Sequence, residues 1–314
     1  MAEFSHVSVL LNETIESLDI KPDGIYVDGT LGGGGHSSEI LKRLGNGGML
    51  IGIDRDNDAI EAATKRLGEV ETEGKFTIIH DNYVNMVEIC KNLGIEKVDG
   101  ILLDIGVSSH QFDEAERGFS YRMDGPLDMR MNREDKLTAS DIVNNYSEKE
   151  ISDILFTYGE EKWSKRIAQF IVEARKKKPI ETTFELVDII NAAVPKSARD
   201  ADGNKKRVFQ ALRVAVNFEL DVLSDVIEGA IDMLNPGGRM AIITFQSLED
   251  AIVKKLYRQA ENPCTCPPNL PCVCGKLPKG KMLNRAGILP GKEEIERNPR
   301  SRSAKLRVFV KKEE

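Results

Sequence analysis

Short runs of apolar residues, most of them closed by an acid, punctuate the first hundred residues of the chain. Gly24–Asp28, Met49–Asp54, Phe76–His80 and Asp99–Asp104 read as buried strands. Between them, apolar residues recur at helical spacing over Ser37–Leu44, Asn57–Leu67 and Tyr83–Leu93. Buried strands alternating with helices predict an α/β fold, a mostly parallel sheet joined by right-handed crossovers. A fifth strand, Arg239–Phe245, follows the turn Asn235-Pro-Gly-Gly238, and a last one, Lys305–Val310, alternates as an edge strand does.

About 130 residues separate the fourth and fifth strands, far more than one crossover needs. They carry helical patterns at Thr138–Asn145, Lys149–Thr157, Lys162–Lys178, Thr183–Ala193 and Arg207–Leu234, the last read as one helix leading back to the sheet. The expected organisation is a sheet domain of residues 1–112 and 216–314, interrupted by a helical substrate-recognition insertion at 113–215. Such an insertion leaves from the carboxyl edge of the fourth strand, where open α/β sheets bind ligands.

The turn Asp28-Gly-Thr-Leu-Gly-Gly-Gly-Gly-His36 joins the first strand to the first helix. Four successive glycines let backbone approach a ligand closely, and the helix start beyond supplies N–H groups that suit a carboxylate or phosphate. Asp54 ends the second strand about twenty residues on, where a carboxylate can hold both hydroxyls of a ribose. The dinucleotide fingerprint fails: Gly32 and Gly34 fit its first two positions, but Ser37 takes the third. No Walker lysine follows the glycines either. S-adenosylmethionine fits better, with its carboxylate at the glycine turn, its ribose on Asp54 and its adenine packed on Tyr83. His36, directly after the glycines, is placed to touch the ligand. Asp104, at the tip of the fourth strand, faces the crevice and is the candidate for catalysis or cofactor binding.

Composition and charge narrow the remaining choices. At 40 % hydrophobic and 30 % charged residues the chain is neither disordered nor fibrous, and no apolar run is long enough for a membrane helix. Met1–His6 carries an acid and no basic run, so a secretory signal is not expected. The net charge of −7 is unevenly spread: Lys254–Glu314 holds 15 basic and 6 acidic residues, a net of +9, leaving −16 for Met1–Val253. A basic tail on an acidic body suits local contact with nucleic acid. Candidate phosphate contacts are Arg297, Arg300, Arg302, Lys305 and Arg307, with Lys162, Lys165, Arg166, Arg207 and Arg213 in the insertion. Arg122, Asp124, Asp128 and Arg130 either shape a base pocket or pair among themselves.

Of five cysteines, Cys90 sits in an apolar stretch and reads as core. Cys264, Cys266, Cys272 and Cys274 form a Cys-x-Cys…Cys-x-Cys run stiffened by Pro263, Pro267, Pro268 and Pro271. Such a run can hold zinc, but structural zinc pairs usually have two to four residues between ligands. The expectation is therefore a reduced, metal-free loop, with zinc as the alternative.

Several segments together resemble the bacterial small-subunit ribosomal RNA cytosine-N(4) methyltransferases. They are His6–Glu13, Asp28–Ser37, Gly52–Asp56, Asp99–Ser109, Arg117–Ser120, Asp124–Met131, Tyr158–Glu161, Phe209–Arg213, Ser247–Asp250 and Asn298–Ser303. The Asp-Gly-Pro-Leu-Asp-Met-Arg and Asn-Pro-Arg-Ser-Arg-Ser runs are the most specific. The resemblance implies a class I S-adenosylmethionine-dependent methyltransferase fold with an inserted helical subdomain. It implies methylation of the exocyclic amine of one cytidine in the decoding region of 16S rRNA, within the small ribosomal subunit, in the cytoplasm. It maps cofactor contacts onto Gly34, Gly35, His36, Asp54, Tyr83, Asp104 and Gln111, with Asp104 also catalytic. Monomer and homodimer both stay open. Two positions depart from the family: Tyr83 stands where phenylalanine is common, which keeps an aromatic, and Gln246 where histidine is common. A histidine base at that place is therefore not essential to this chain.

Overall fold

The computed structural model describes residues 8–200, 202–220, 222–267 and 271–313. His6 and Val7 of the first resembling segment, the start Met1–His6 and Pro268 lie outside the described residues. The chain divides into two compact units, Met1–Gly106 with Val222–Glu314, and Val107–Asp221.

The first unit is a seven-stranded sheet of β1 (Ile25–Asp28), β2 (Met49–Asp54), β3 (Lys75–His80), β4 (Val98–Asp104), β5 (Leu234–Thr244), β6 (Gly280–Met282) and β7 (Lys305–Lys311). Their order is β3-β2-β1-β4-β5-β7-β6. The strands from β3 to β5 are parallel, and β7 runs antiparallel to β5 and β6. This is the class I methyltransferase arrangement. The apolar runs are nearly continuous because both faces of the central strands are covered. Ile51, Ile53, Ile101, Leu103, Met240 and Ile242 pack into one core, while Leu50, Leu102, Ala241 and Ile243 pack into another. That division follows from the two-residue period of a strand.

Three expectations about this unit need correction. Phe76–His80 is not a buried strand: β3 is the outer strand of the sheet, with Phe76 and His80 exposed. Lys305–Lys311 is not an edge strand: it lies between β5 and β6, with Leu306, Arg307, Val308 and Phe309 all buried. The three-residue β6, too short and polar to carry a strand pattern, covers its outer side. The turn at 235–238 lies inside β5, where the pairing with β4 shifts between Val98–Leu234 and Gly100–Arg239 and Gly237 takes φ +74°.

The second unit is helical: Ala139–Asn145, Glu148–Gly159, Ser164–Arg175, Thr183–Ala193 and Gly203–Asn217 enclose Ile142, Ile151, Leu155, Ile167, Leu186, Val208 and Leu212. Three of these helices start on reciprocal caps, Thr138 with Asp141, Ser147 with Glu150 and Thr182 with Glu185. Arg207–Leu234 is not one helix but parts of two, Gly203–Asn217 and Leu223–Met233. No glycine or proline stands at the break, so the sequence hides it. Phe218 makes it by adopting φ 52°, and Glu219 then accepts both Nε and Nη2 of Arg213, at 2.9 and 3.0 Å. No helix among the described residues is long and apolar enough to cross a membrane.

Candidate active site

The chain runs from β1 out to β2 and β3 on one side, then returns to place β4 on the other side of β1. At that reversal the two flanking loops diverge and leave a crevice at the carboxyl ends. Asp28, Asp54 and Asp104 end the three adjacent strands β1, β2 and β4. The glycine turn is stitched across the same edge. Gly29 N–H donates to Leu102 O at 2.9 Å, and Leu31 N–H to Ile53 O at 3.0 Å.

The turn needs its glycines for identifiable reasons. Gly32 and Gly34 have φ +50° and +73°, a region that side chains disfavour. A Cβ on Gly35 would lie 1.9 Å from Ser8 Oγ. A Cβ on Gly29 would lie 2.5 Å from Leu103 Cδ2 and 3.0 Å from Tyr83 Cβ, which puts Tyr83 beside the turn. Tyr83 opens a short 3-10 turn after β3, and Asn82 Oδ1 caps it by accepting Val84 N–H.

Each acid has a different setting. Asp54 accepts Gly32 N–H at 2.7 Å on one oxygen and Asp56 N–H at 2.9 Å on the other. Burial still outweighs these bonds and raises its pKa. Asp28 is buried, accepts Ser37 Oγ–H at 2.7 Å and Thr30 N–H at 3.2 Å, and is pushed up to about 6 by burial. Asp104 is pushed up to about 7, first by burial and then by the charge of Asp28. Its N–H donates to Thr30 Oγ1, but its buried Oδ1 has no hydrogen-bond partner.

His36 is buried, and its Nε2 lies 3.0 Å from Val9 O. A carbonyl only accepts, so Nε2 carries the proton. Its Nδ1 lies 4.0 Å from Asp104 Oδ2. The structure thus brings Gly34, Gly35, His36, Asp54, Tyr83 and Asp104 to the edge around one glycine turn.

Gln111 belongs to the second unit. There it is buried, and its Oε1 accepts Ser108 N–H at 3.1 Å in the cap of the helix Ser109–Asp113. Asp28 was not expected to matter beyond ending a strand. Its signal was the serine nine residues on, one face of the following helix turned back to the strand tip. Gln246 follows β5, which pairs with β4, and its buried Oε1 also lacks a partner. Its backbone N–H donates to Glu249 Oε2 at 3.1 Å.

A buried carboxylate oxygen with no donor is costly unless a ligand supplies one. Asp54, with one N–H on each oxygen, keeps lone pairs for hydroxyl donors. This donor and acceptor set fits an amino-acid nucleoside carrying positive charge, and S-adenosylmethionine is such a molecule. A family model described as the MraW methylase family matches residues 3–312. The chain belongs to the MraW methylase family. Its methyl donor is S-adenosylmethionine. The chain is 60 % identical over 309 residues to the protein named Ribosomal RNA small subunit methyltransferase H from Lachnospira eligens, covering 98 % of each chain. It is 58 % identical over 311 residues to the protein of the same name from Acetivibrio thermocellus, covering 98 % of this chain and 99 % of that one.

Several basic residues expected to meet phosphate are already paired in this MraW-family structure. Arg307 is buried, and with Lys305 it binds Asp250. Arg207 pairs with Glu161 and Asp200, and Arg213 with Glu219. Arg130 pairs with Asp128 at 2.7 Å, Arg122 with Asp202 at 3.3 Å, and Asp124 Oδ1 accepts Phe184 N–H at 3.2 Å. These basic side chains serve internal ion pairs. Charge counting could not separate them from the exposed Arg297, Arg300 and Arg302, or from the exposed Lys162, Lys165 and Arg166.

Proposed function

We propose that this protein methylates the exocyclic 4-amino group of a cytidine in the decoding region of 16S rRNA. The observation that carries the proposal is Asp104, a strand-tip carboxylate with one buried oxygen that lacks a donor. The names of the relatives, at 56–60 % identity, support small-subunit ribosomal RNA as the substrate. Bound S-adenosylmethionine supplies an electrophilic methyl group and leaves as a neutral thioether, so its departure needs no acid.

The cytosine amine is the difficult partner, because its lone pair is delocalised into the ring. Asp104, accepting one amino hydrogen, favours a pyramidal nitrogen with its lone pair turned toward the methyl group. Placement and electrostatic support of this type supply several kcal/mol in enzymes. Asp104 must be ionised to do this, and a cationic ligand beside it pulls its pKa back down. The proton leaves the nitrogen after transfer. In this reading Gly34, Gly35 and His36 hold the amino-acid end of the cofactor, Asp54 its ribose and Tyr83 its adenine. Asp104 also contacts the cofactor.

Methylation at ring carbon five would instead call for a cysteine nucleophile. Cys90 is fully buried in the core, its pKa pushed up to about 11, and the other four cysteines fall in the segment between the helix Ser247–Glu261 and β6. The base must be unpaired or extruded to be reached. The helical unit is the proposed substrate grip, and exposed Arg297, Arg300, Arg302, Lys162, Lys165 and Arg166 are the proposed phosphate contacts. The test is methyl transfer from tritiated S-adenosylmethionine to undermethylated small subunits and to free 16S rRNA, followed by nuclease mapping and nucleoside analysis. N4-methylcytidine at one decoding-region position is expected. Label in 5-methylcytidine, or in protein alone, would refute the proposal.

A further inference from the structure

The segment between the helix Ser247–Glu261 and β6 has little to hold it. Among the described residues of 263–278, no backbone-to-backbone hydrogen bond ties the segment to itself or to the sheet. Of its described apolar residues, Val273 and Leu277 are 88 % and 77 % exposed and do not fold it either. Four thiols converge instead. The Sγ atoms of Cys264, Cys266, Cys272 and Cys274 all lie within 4.8 Å of one another. Cys264 and Cys274 each lie 3.5 Å from Cys272, and 3.8 Å from each other.

These distances are diagnostic. A disulfide would require sulfurs about 2 Å apart. Four thiolates around one zinc, at bonds of about 2.3 Å, are separated by about 3.8 Å along each edge of the tetrahedron. The one-residue spacing that weighed against zinc in the sequence has a local answer. In extended chain, residues two apart point to the same side, so Cys272 and Cys274 can present both sulfurs to one centre.

The backbone supports thiolates here. Val273 N–H points at Cys266 Sγ at 3.4 Å. Gly275, directly after Cys274, turns the chain at φ +66°. We propose that Cys264, Cys266, Cys272 and Cys274 form a tetrathiolate zinc site that staples this segment, remote in function from the methyl-transfer chemistry. Zn²⁺ displaces the four thiol protons, and Val273 N–H offsets part of the resulting negative charge.

The test uses the full-length protein, purified under reducing conditions without chelator. About one zinc per chain is expected by elemental analysis, and cobalt reconstitution of the zinc-free protein should give the absorption of a tetrahedral tetrathiolate. Cys272→Ser/Cys274→Ser should lose the metal and become readily cleaved by trypsin within 262–279, while still binding S-adenosylmethionine. Cofactor binding in that variant shows that the sheet unit has folded. Failure to take up zinc or cobalt after reconstitution would overturn the proposal. So would iron at full occupancy in place of zinc, two disulfides found by mass, or zinc retained by the double variant.

Discussion

Replacing Asp104 with asparagine removes a charge that the fold disfavours and the chemistry needs. Burial and the Asp28 charge push the Asp104 carboxyl up from 3.8 to about 7. Each tenfold change in proton affinity is about 1.4 kcal/mol, so the ionised form costs the ligand-free protein about 4 kcal/mol against the unfolded chain. The side chain is 21 % exposed, and solvent trims the figure to about 2–4 kcal/mol. The folded state holds this proton more tightly than the unfolded state. Its contribution is therefore most favourable below about pH 4 and is lost as pH rises toward 7. Asp104→Asn should leave stability within about 1 kcal/mol of the parent at pH 4.5 and raise it by about 2–4 kcal/mol at pH 8. Urea unfolding of both ligand-free proteins at both pH values measures the difference. Single-turnover methyl transfer should fall at least about 100-fold in the same variant. A variant less stable than the parent at pH 8, or a stability gap that does not change with pH, would refute the reasoning about Asp104. A second arm follows. The parent should bind S-adenosylmethionine more tightly as pH rises to about 7, and Asp104→Asn should show a flatter profile.

Gly35→Ala places a methyl group against Ser8 Oγ and should cost about 1–3 kcal/mol of stability, with weaker cofactor binding by calorimetry. Restoration of binding by Ser8→Ala in the same chain would confirm the steric cause. Glu161 is fully buried and accepts from Trp163 N–H, Asn204 and Arg207, so Glu161→Ala should destabilise the helical unit by about 3–5 kcal/mol in denaturant titrations. Arg300→Ala/Arg302→Ala should weaken RNA binding and lower the salt dependence of the affinity by about one unit of slope per residue. An unchanged slope would remove both arginines from the interface.

The hydrophobic pattern determined the strands β1 to β5 and the class of fold: the central strands, covered on both faces, must be apolar throughout, and only the outer strand β3 leaves Phe76 exposed. It also placed Asp54 and Asp104 at strand tips and the glycines in the turn between, since a turn with φ above zero leaves few other residues to choose from. The capped helix Thr183–Ala193 was legible to the residue. The break at Phe218 was not, because its left-handed backbone is selected by tertiary packing and by the Arg213–Glu219 pair rather than by a glycine. Nor could the sequence separate Arg307, buried against Asp250, from Arg300 and Arg302 on the surface, because charge is local and pairing is not. The pKa of about 7 at Asp104 likewise exists only in the folded chain, where the sheet order brings Asp28 beside it and removes water from both. Local patterns decide which elements form, and only packing decides which charges are left for chemistry.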